Sequence, residues 1–274
     1  LIFIKINIKI VILSILIALL MYPKTIFFLV KTVENICIII NLNTNAIQSN
    51  NTYIDSNKVK IVFMFDDGWE SIYTQAYKIM KKYDYKASVS IIPSLVNESE
   101  YMSYKQLSEL YLEGWDLLNH SYSHKENMYD KCYKLLLDFN KARQWMKNKF
   151  IGNHSDMIIM PYGEINPYLI ELLKNAEYRN IRTADNIIIL ESDKIIYYPA
   201  TIISLLTDVT VNEVKSILTQ TFDNHKTVIF ILHKIGNKDN GFGMTYSKDK
   251  LEQIVKFIDK HSDKFQVVTY SQLF

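Results

Sequence analysis

Four short segments carry side chains that could do chemistry. Phe65-Asp66-Asp67-Gly68 sets two carboxylates side by side, and such a pair ionises cheaply only with a cation near it. His120-Ser121-Tyr122-Ser123-His124 spaces two imidazoles four residues apart. If that segment turns helically, both rings meet on one face at zinc-ligand spacing. In Pro161-Tyr162-Gly163 the proline lacks an N–H, so the Tyr162 amide is the first donor of the turn and a candidate oxyanion contact. Leu232-His233 closes an apolar run. Taken singly, each has a plain structural reading: an Asp-Gly turn, solvated loop histidines, a proline turn, a stray histidine. Taken together, a carboxylate and two histidines make a three-ligand site with room for water. A second Asp supplies a base and a distant His an acid, which is the set needed for metal-assisted hydrolysis of an amide or ester. Cys37 and Cys132 lie too far apart in sequence to suggest a thiolate cluster, so any metal must be held by His and carboxylates. His154, His225 and His261 fall in polar loops or helix ends and read as surface residues.

The elements that must position these groups alternate along the chain. Apolar runs predict strands at 59–65, 87–92, 116–119, 157–160, 180–183, 187–190, 195–201, 227–232 and 266–269. Helical spacing fills 69–83, 126–150 and 248–262. Ser103 with Gln106 and Thr210 with Glu213 form capping boxes that open further helices, and Asn166-Pro167 is an N-cap followed by proline at the first helical position. Such alternation predicts an α/β fold with a parallel sheet or barrel, whose chemistry sits at the carboxyl ends of strands. All four polar segments fall there.

In this order and spacing the motifs resemble the NodB-type polysaccharide deacetylases, carbohydrate esterase family four, over about residues 59–274. The family's Asp-Asp-Gly motif is matched by Phe65 to Gly68, its His-x-x-x-His motif by His120 to His124, its Pro-Tyr-Gly by Pro161 to Gly163, and its terminal Leu-His by Leu232-His233. The resemblance implies a distorted (β/α) barrel with one divalent metal, usually zinc and sometimes cobalt or nickel. It implies Asp67, His120 and His124 as ligands, Asp66 as the base acting on a metal-bound water, and His233 as the acid. The Tyr162 amide would contact the oxyanion, and Trp69, Pro161 and Tyr162 would line the sugar groove, though a core role for Trp69 fits equally. Many members carry an Arg where this chain has Ile159; the poly-N-acetylglucosamine subgroup also lacks it. Asp208, 25 residues before His233, is the candidate for orienting that histidine, or else a neighbour of a helix cap. The implied activity is removal of acetyl groups from an N-acetylated, GlcNAc-type cell-surface polysaccharide. An O-acetyl esterase, a weakly catalytic metal-containing glycan binder and a membrane-tethered scaffold remain as alternatives.

The rest of the chain bounds these readings. Lys5 and Lys9 precede an apolar run from Ile10 to Tyr22, the pattern of a signal peptide or signal-anchor, which would place the remainder of the chain outside the cell. Residues 1–40 are thus expected to be the export or anchor region, 41–58 a polar linker, and 59–274 a monomeric catalytic domain. A formal net charge of +2 leaves no basic footprint for nucleic acid. With 49% hydrophobic and 22% charged residues the chain is not disordered.

Overall fold

The computed structural model describes residues 54–125, 131–150, 153–222, 227–239 and 243–274. The apolar run at 10–22, the polar stretch up to residue 53, His225 and the expected helix start at Glu126 lie outside them. In chain order the strands are β1 (Val59–Phe65), β2 (Ser88–Ile91), β3 (Asp116–Asn119), β4 (His154–Ile159), β5 (Asn180–Arg182) and β6 (Ile187–Leu190). They continue as β7 (Ile195–Tyr198), β8 (Ala200–Ser204), β9 (Thr227–Leu232), β10 (Lys234–Ile235), β11 (Thr245–Tyr246) and β12 (Phe265–Val267). A ten-stranded sheet has the order β7-β6-β5-β4-β3-β2-β1-β9-β8, with β12 paired to β1. Its ladders are parallel except at β5–β6 and β6–β7.

β1 is buried along its whole length, as an apolar run without alternation requires. It meets β9 on one side from Ile61 to Phe65, and on the other side β12 near its start and β2 near its end. The run expected as one strand over 195–201 is two strands. Pro199, which has no N–H to give to a ladder, separates β7 from β8, and these lie at opposite edges of the sheet order. Consecutive strands at opposite edges require the sheet to curl until its edges approach one another, with Pro199 at the corner.

The helices are α1 (Tyr77–Lys81), entered through a π-turn at Ile72–Ala76, α2 (Tyr104–Leu112), α3 (Cys132–Lys149), α4 (Pro167–Asn175), α5 (Val211–Gln220) and α6 (Lys248–Lys260). Both expected capping boxes form, Ser103 with Gln106 and Thr210 with Glu213. Asn166 caps α4 by accepting from the Leu169 amide at 2.9 Å. Residues 54–58, expected as the end of the linker, belong to the folded body instead. Ile54 packs on the inner core, and the Asp55 amide donates to Gln266 Oε1 at 2.9 Å.

Side-chain parity sorts the core into layers. Ile61, Phe63 and Phe65 of β1 pack in the cluster that holds the buried faces of α2, α5 and α6. Val62 and Met64 join Leu118, Met157, Ile159, Ile187 and Ile229 in a separate inner cluster drawn largely from strands. Continuing the period of two past each strand end carries Asp66, His120 and His233 to the inner side. The sheet therefore aims these three groups over one mouth.

Candidate active site

A cleft of about 260 Å³ opens at that mouth, lined among others by Asp66, Asp67, His120, His124, Arg182 and His233. The backbone is strained around it. Asp67, Ser121, His124 and Tyr162 all have left-handed φ, at 71°, 61°, 44° and 61°, a conformation that persists in non-glycine residues only where surroundings over-determine it. At Asp67 it breaks strand parity. The carboxylate is thereby turned toward the histidines, with Oδ1 3.3 Å from His120 Nε2 and 3.7 Å from His124 Nε2.

The expectation that the His-Ser-Tyr-Ser-His segment turns helically fails. It is an irregular loop, and its imidazoles meet because the loop is clamped. Asp138 of α3 accepts from the Tyr122 and Ser123 amides, each at 2.9 Å, and from the Ser123 hydroxyl. Asn119 Oδ1 accepts from the Ser121 amide, and Ser121 Oγ from the His124 amide. His120 Nδ1 donates to the Ile159 carbonyl at 2.8 Å. A carbonyl can only accept, so the Nε2 lone pair of the neutral ring is left facing Asp67. Ile159 thus serves the site through its backbone.

Asp67, His120 and His124 each present one ligand atom, and these atoms all lie within 4.8 Å of one another. Burial, with help from His120, pushes His124 down to about 4, leaving a neutral ligand at neutral pH. Burial would also lower His120, but the hydrogen bond its protonated ring can give to Asp67 and the charges of Asp66 and Asp67 raise it overall. Burial opposes ionisation of Asp67, yet His120, His233 and His124 hold it well below the usual carboxylate range. A site that keeps its carboxylates ionised is one that attracts positive charge. Its donors fit a divalent ion.

The residue missed in the sequence is Arg182. Its Nη2 donates to Asp66 Oδ1 at 2.6 Å and also contacts Oδ2. Both side chains are buried. Ser90 Oγ donates to Asp66 Oδ1 at 2.9 Å. Burial favours the neutral acid at Asp66, but Arg182 first, then His120 and His233, hold its pKa below the ordinary value. Where many members of the resembled family carry Arg, this chain has Ile159, and a guanidinium stands one strand away: Ile159 of β4 lies directly opposite Arg182 of β5 in the ladder. An arginine ending a short buried strand was the available signal.

The other expected residues divide. Tyr162 is half exposed at the cleft, its ring 4.7 Å from that of His124 and its hydroxyl donating to the His124 carbonyl at 3.2 Å. Pro161 is buried beneath that turn. Gly163 has φ of +75°, and a Cβ there would stand 2.7 Å from Ala184 Cβ, so no side chain fits. Trp69 does not line the cleft; its indole donates to Asp67 Oδ2 at 3.0 Å. Asp208 is exposed beyond β8, and His233 Nδ1 is buried without a hydrogen-bond partner among the described residues, so the expected Asp208–His233 contact is not formed. His154, expected at the surface, is partly buried, with Nε2 3.5 Å from Asp116 Oδ1 at the other end of the sheet.

Two carboxylates, three imidazoles and a buried guanidinium gather at the carboxyl ends of a curled mixed sheet, which defines the class: an α/β fold with a candidate metal site in its cleft. Residues 54–181 match the profile of the polysaccharide deacetylase family. Over 126 residues it is 31% identical to the poly-β-1,6-N-acetyl-D-glucosamine N-deacetylase of Staphylococcus aureus, a stretch covering 41% of this chain and 43% of that protein. The chain thus matches less than half the length of this curated relative. The fold is similar to that of the Xyl-CE4 domain of a multidomain xylanase from the hindgut metagenome of Trinervitermes trinervoides, with a TM-score of 0.53 and 18% identity, covering 79% of this chain and 90% of that one. It is also similar to a family 4 acetyl xylan esterase from Clostridium thermocellum solved with a cobalt ion, with a TM-score of 0.50 and 17% identity, covering 78% and 90%. At these identities the likeness is one of fold. Arg182 and His233 lie beyond the profile match.

Proposed function

We propose that the domain removes acetyl groups from an N-acetylglucosamine-type polysaccharide by metal-assisted amide hydrolysis. The observation that carries this reading is the Asp67, His120 and His124 triad with a second, Arg182-held carboxylate beside it and His233 in the same cleft. A divalent ion, zinc by the donor set, would be held by the triad and would supply Lewis acidity for the carbonyl and acidify a water. Asp66, kept ionised, takes the proton of the attacking water. His233 gives a proton to the departing amine nitrogen, without which the amine is a poor leaving group. The poly-N-acetylglucosamine assignment draws on the 31% identity to the staphylococcal deacetylase over 126 residues.

The test is acetate release from poly-N-acetylglucosamine, peptidoglycan and acetylated xylan, with chelator and metal add-back. Asp66→Asn and His233→Ala are expected to keep the metal and to lose ~10²–10⁴ in rate on the amide. The His233→Ala loss is expected to be smaller on an activated acetyl ester, whose leaving oxygen needs a proton less. Glycan binding without turnover in the metal-replete wild type would sink the catalytic reading in favour of a binder. Release from acetylated xylan alone would reassign the substrate.

A further inference from the structure

The Trp69 indole is held on both faces. Its ring stacks on Tyr101 with centroids 4.3 Å apart, and Lys234 Nζ stands 4.0 Å over it. Two groups that close to one ring must occupy opposite sides. The backbone repeats the restraint: Trp69 and Tyr101 form an antiparallel bridge, Glu70 N donates to Glu100 O at 2.8 Å, and Met102 N donates to Gly68 O at 2.9 Å. Lys234 is itself tethered by an ion pair to Glu100 at 3.2 Å. With its plane fixed, the indole has one free edge to aim, and Nε1 meets Asp67 Oδ2 at 3.0 Å. The opposite oxygen, Oδ1, is the one that faces His120 and His124.

We propose that Trp69 is a positioning residue for the metal centre, occupying Oδ2 so that Asp67 can reach an ion through Oδ1 alone. The inference rests on the reading of Asp67 as a ligand. A carboxylate turns broadly about its last torsion, and Asp67 sits on a left-handed backbone outside any ladder. Neither feature by itself selects one oxygen. A donor fixed by a stack and a cation does, and partners of this kind tune metal affinity. The same geometry takes Trp69 out of the sugar groove, since neither face is open to stack on a pyranose. Tyr162 is left as the exposed aromatic among the three expected groove residues.

The test is metal affinity of the apoprotein, read by competition with a chromophoric zinc chelator, together with the visible absorption of the cobalt-loaded protein. Trp69→Phe keeps an aromatic ring for the stack and removes the N–H. It is expected to weaken metal binding ~10–100-fold and to shift the cobalt bands as the second oxygen is released. Tyr101→Leu loosens the stack but keeps the donor, and is expected to lose less affinity than Trp69→Phe. Should Trp69→Phe fold poorly, benzothienylalanine at this position, an isostere with sulfur in place of the indole N–H, gives the same readout with the packing retained. Wild-type affinity and spectrum in the donor-less protein would overturn the proposal. Equal losses in Trp69→Phe and Tyr101→Leu would overturn it too, by assigning the effect to packing. Undiminished metal binding by Asp67→Ala would instead remove Asp67 from the ligand set, so the two failures are told apart.

Discussion

At the scale of single residues, the Asp66–Arg182 pair decides whether the site can act as a base. A buried carboxylate is an acid unless something holds its charge, and here one guanidinium contacts both oxygens. Breaking a buried pair by removing one partner leaves the other charge uncompensated, at a cost of ~3–5 kcal/mol. Arg182→Met is therefore expected to lower stability by that order in denaturant melts. Arg182→Lys retains a charge but not the planar fork. It should stay folded and keep its metal while kcat falls, on the order of 10²-fold for a displacement of about 1 Å. Full activity in a folded Arg182→Lys protein would mean that Ser90 and the ligand histidines suffice to hold Asp66.

At the scale of elements, the candidate metal ligands depend on how a loop is tied to a helix. The segment from His120 to His124 belongs to no regular element, and its geometry is carried by the Asp138 carboxylate projecting from α3. Asp138→Ala leaves two backbone amides and a hydroxyl to find water. Metal affinity is expected to drop about tenfold or more, with faster amide hydrogen exchange at Tyr122 and Ser123. Unchanged exchange at those amides would show that Asn119 and Ser121 hold the loop by themselves. This clamp also marks how far the site was legible in the sequence. Asp66, His120 and His233 could be read because each closely follows an apolar run, where a strand end leaves little choice about where the next side chain goes, while Asp67 and His124 were read only from their spacing to these residues. Arg182 was missed because searching one strand, at Ile159, says nothing of its neighbour, and register across a ladder is a tertiary fact. The choice between groove and core for Trp69 stayed open for a similar reason, its partners Tyr101 and Lys234 being 32 and 165 residues away. The split of 195–201 was legible in principle, since Pro199 cannot donate to a ladder. Capping boxes were read well because the cap is a contact between residues three apart.

For the folded body as a whole, the most widespread electrostatic feature lies in its tyrosines. The chain has 19, and folding buries many of their hydroxyls. Burial, helped by Asp259, raises Tyr85 to about 12, and burial raises Tyr246 to about 12. A hydrogen bond with Glu109, then burial, raises Tyr73 to about 12. Tyr101, Tyr111, Tyr178 and Tyr270 are raised as well, burial being the leading cause in each. A phenol in the unfolded chain ionises near pH 10. Between about pH 10 and 12 the unfolded chain therefore binds fewer protons than the folded one, and stability falls as pH rises. Below pH 10 both states are protonated and the tyrosines contribute no slope. These residues are spread over the π-turn at Ile72–Ala76, α2, β11 and the segments before β2, α2 and β5 and after β12, so the penalty falls on many parts of the folded body at once. Phenolate absorbance followed against pH should show a subset of tyrosines titrating normally and a second group appearing only with cooperative loss of circular dichroism above pH 10. If all 19 titrate near pH 10 while the dichroism is retained, these hydroxyls are reached by solvent and are not shifted, and the expectation fails.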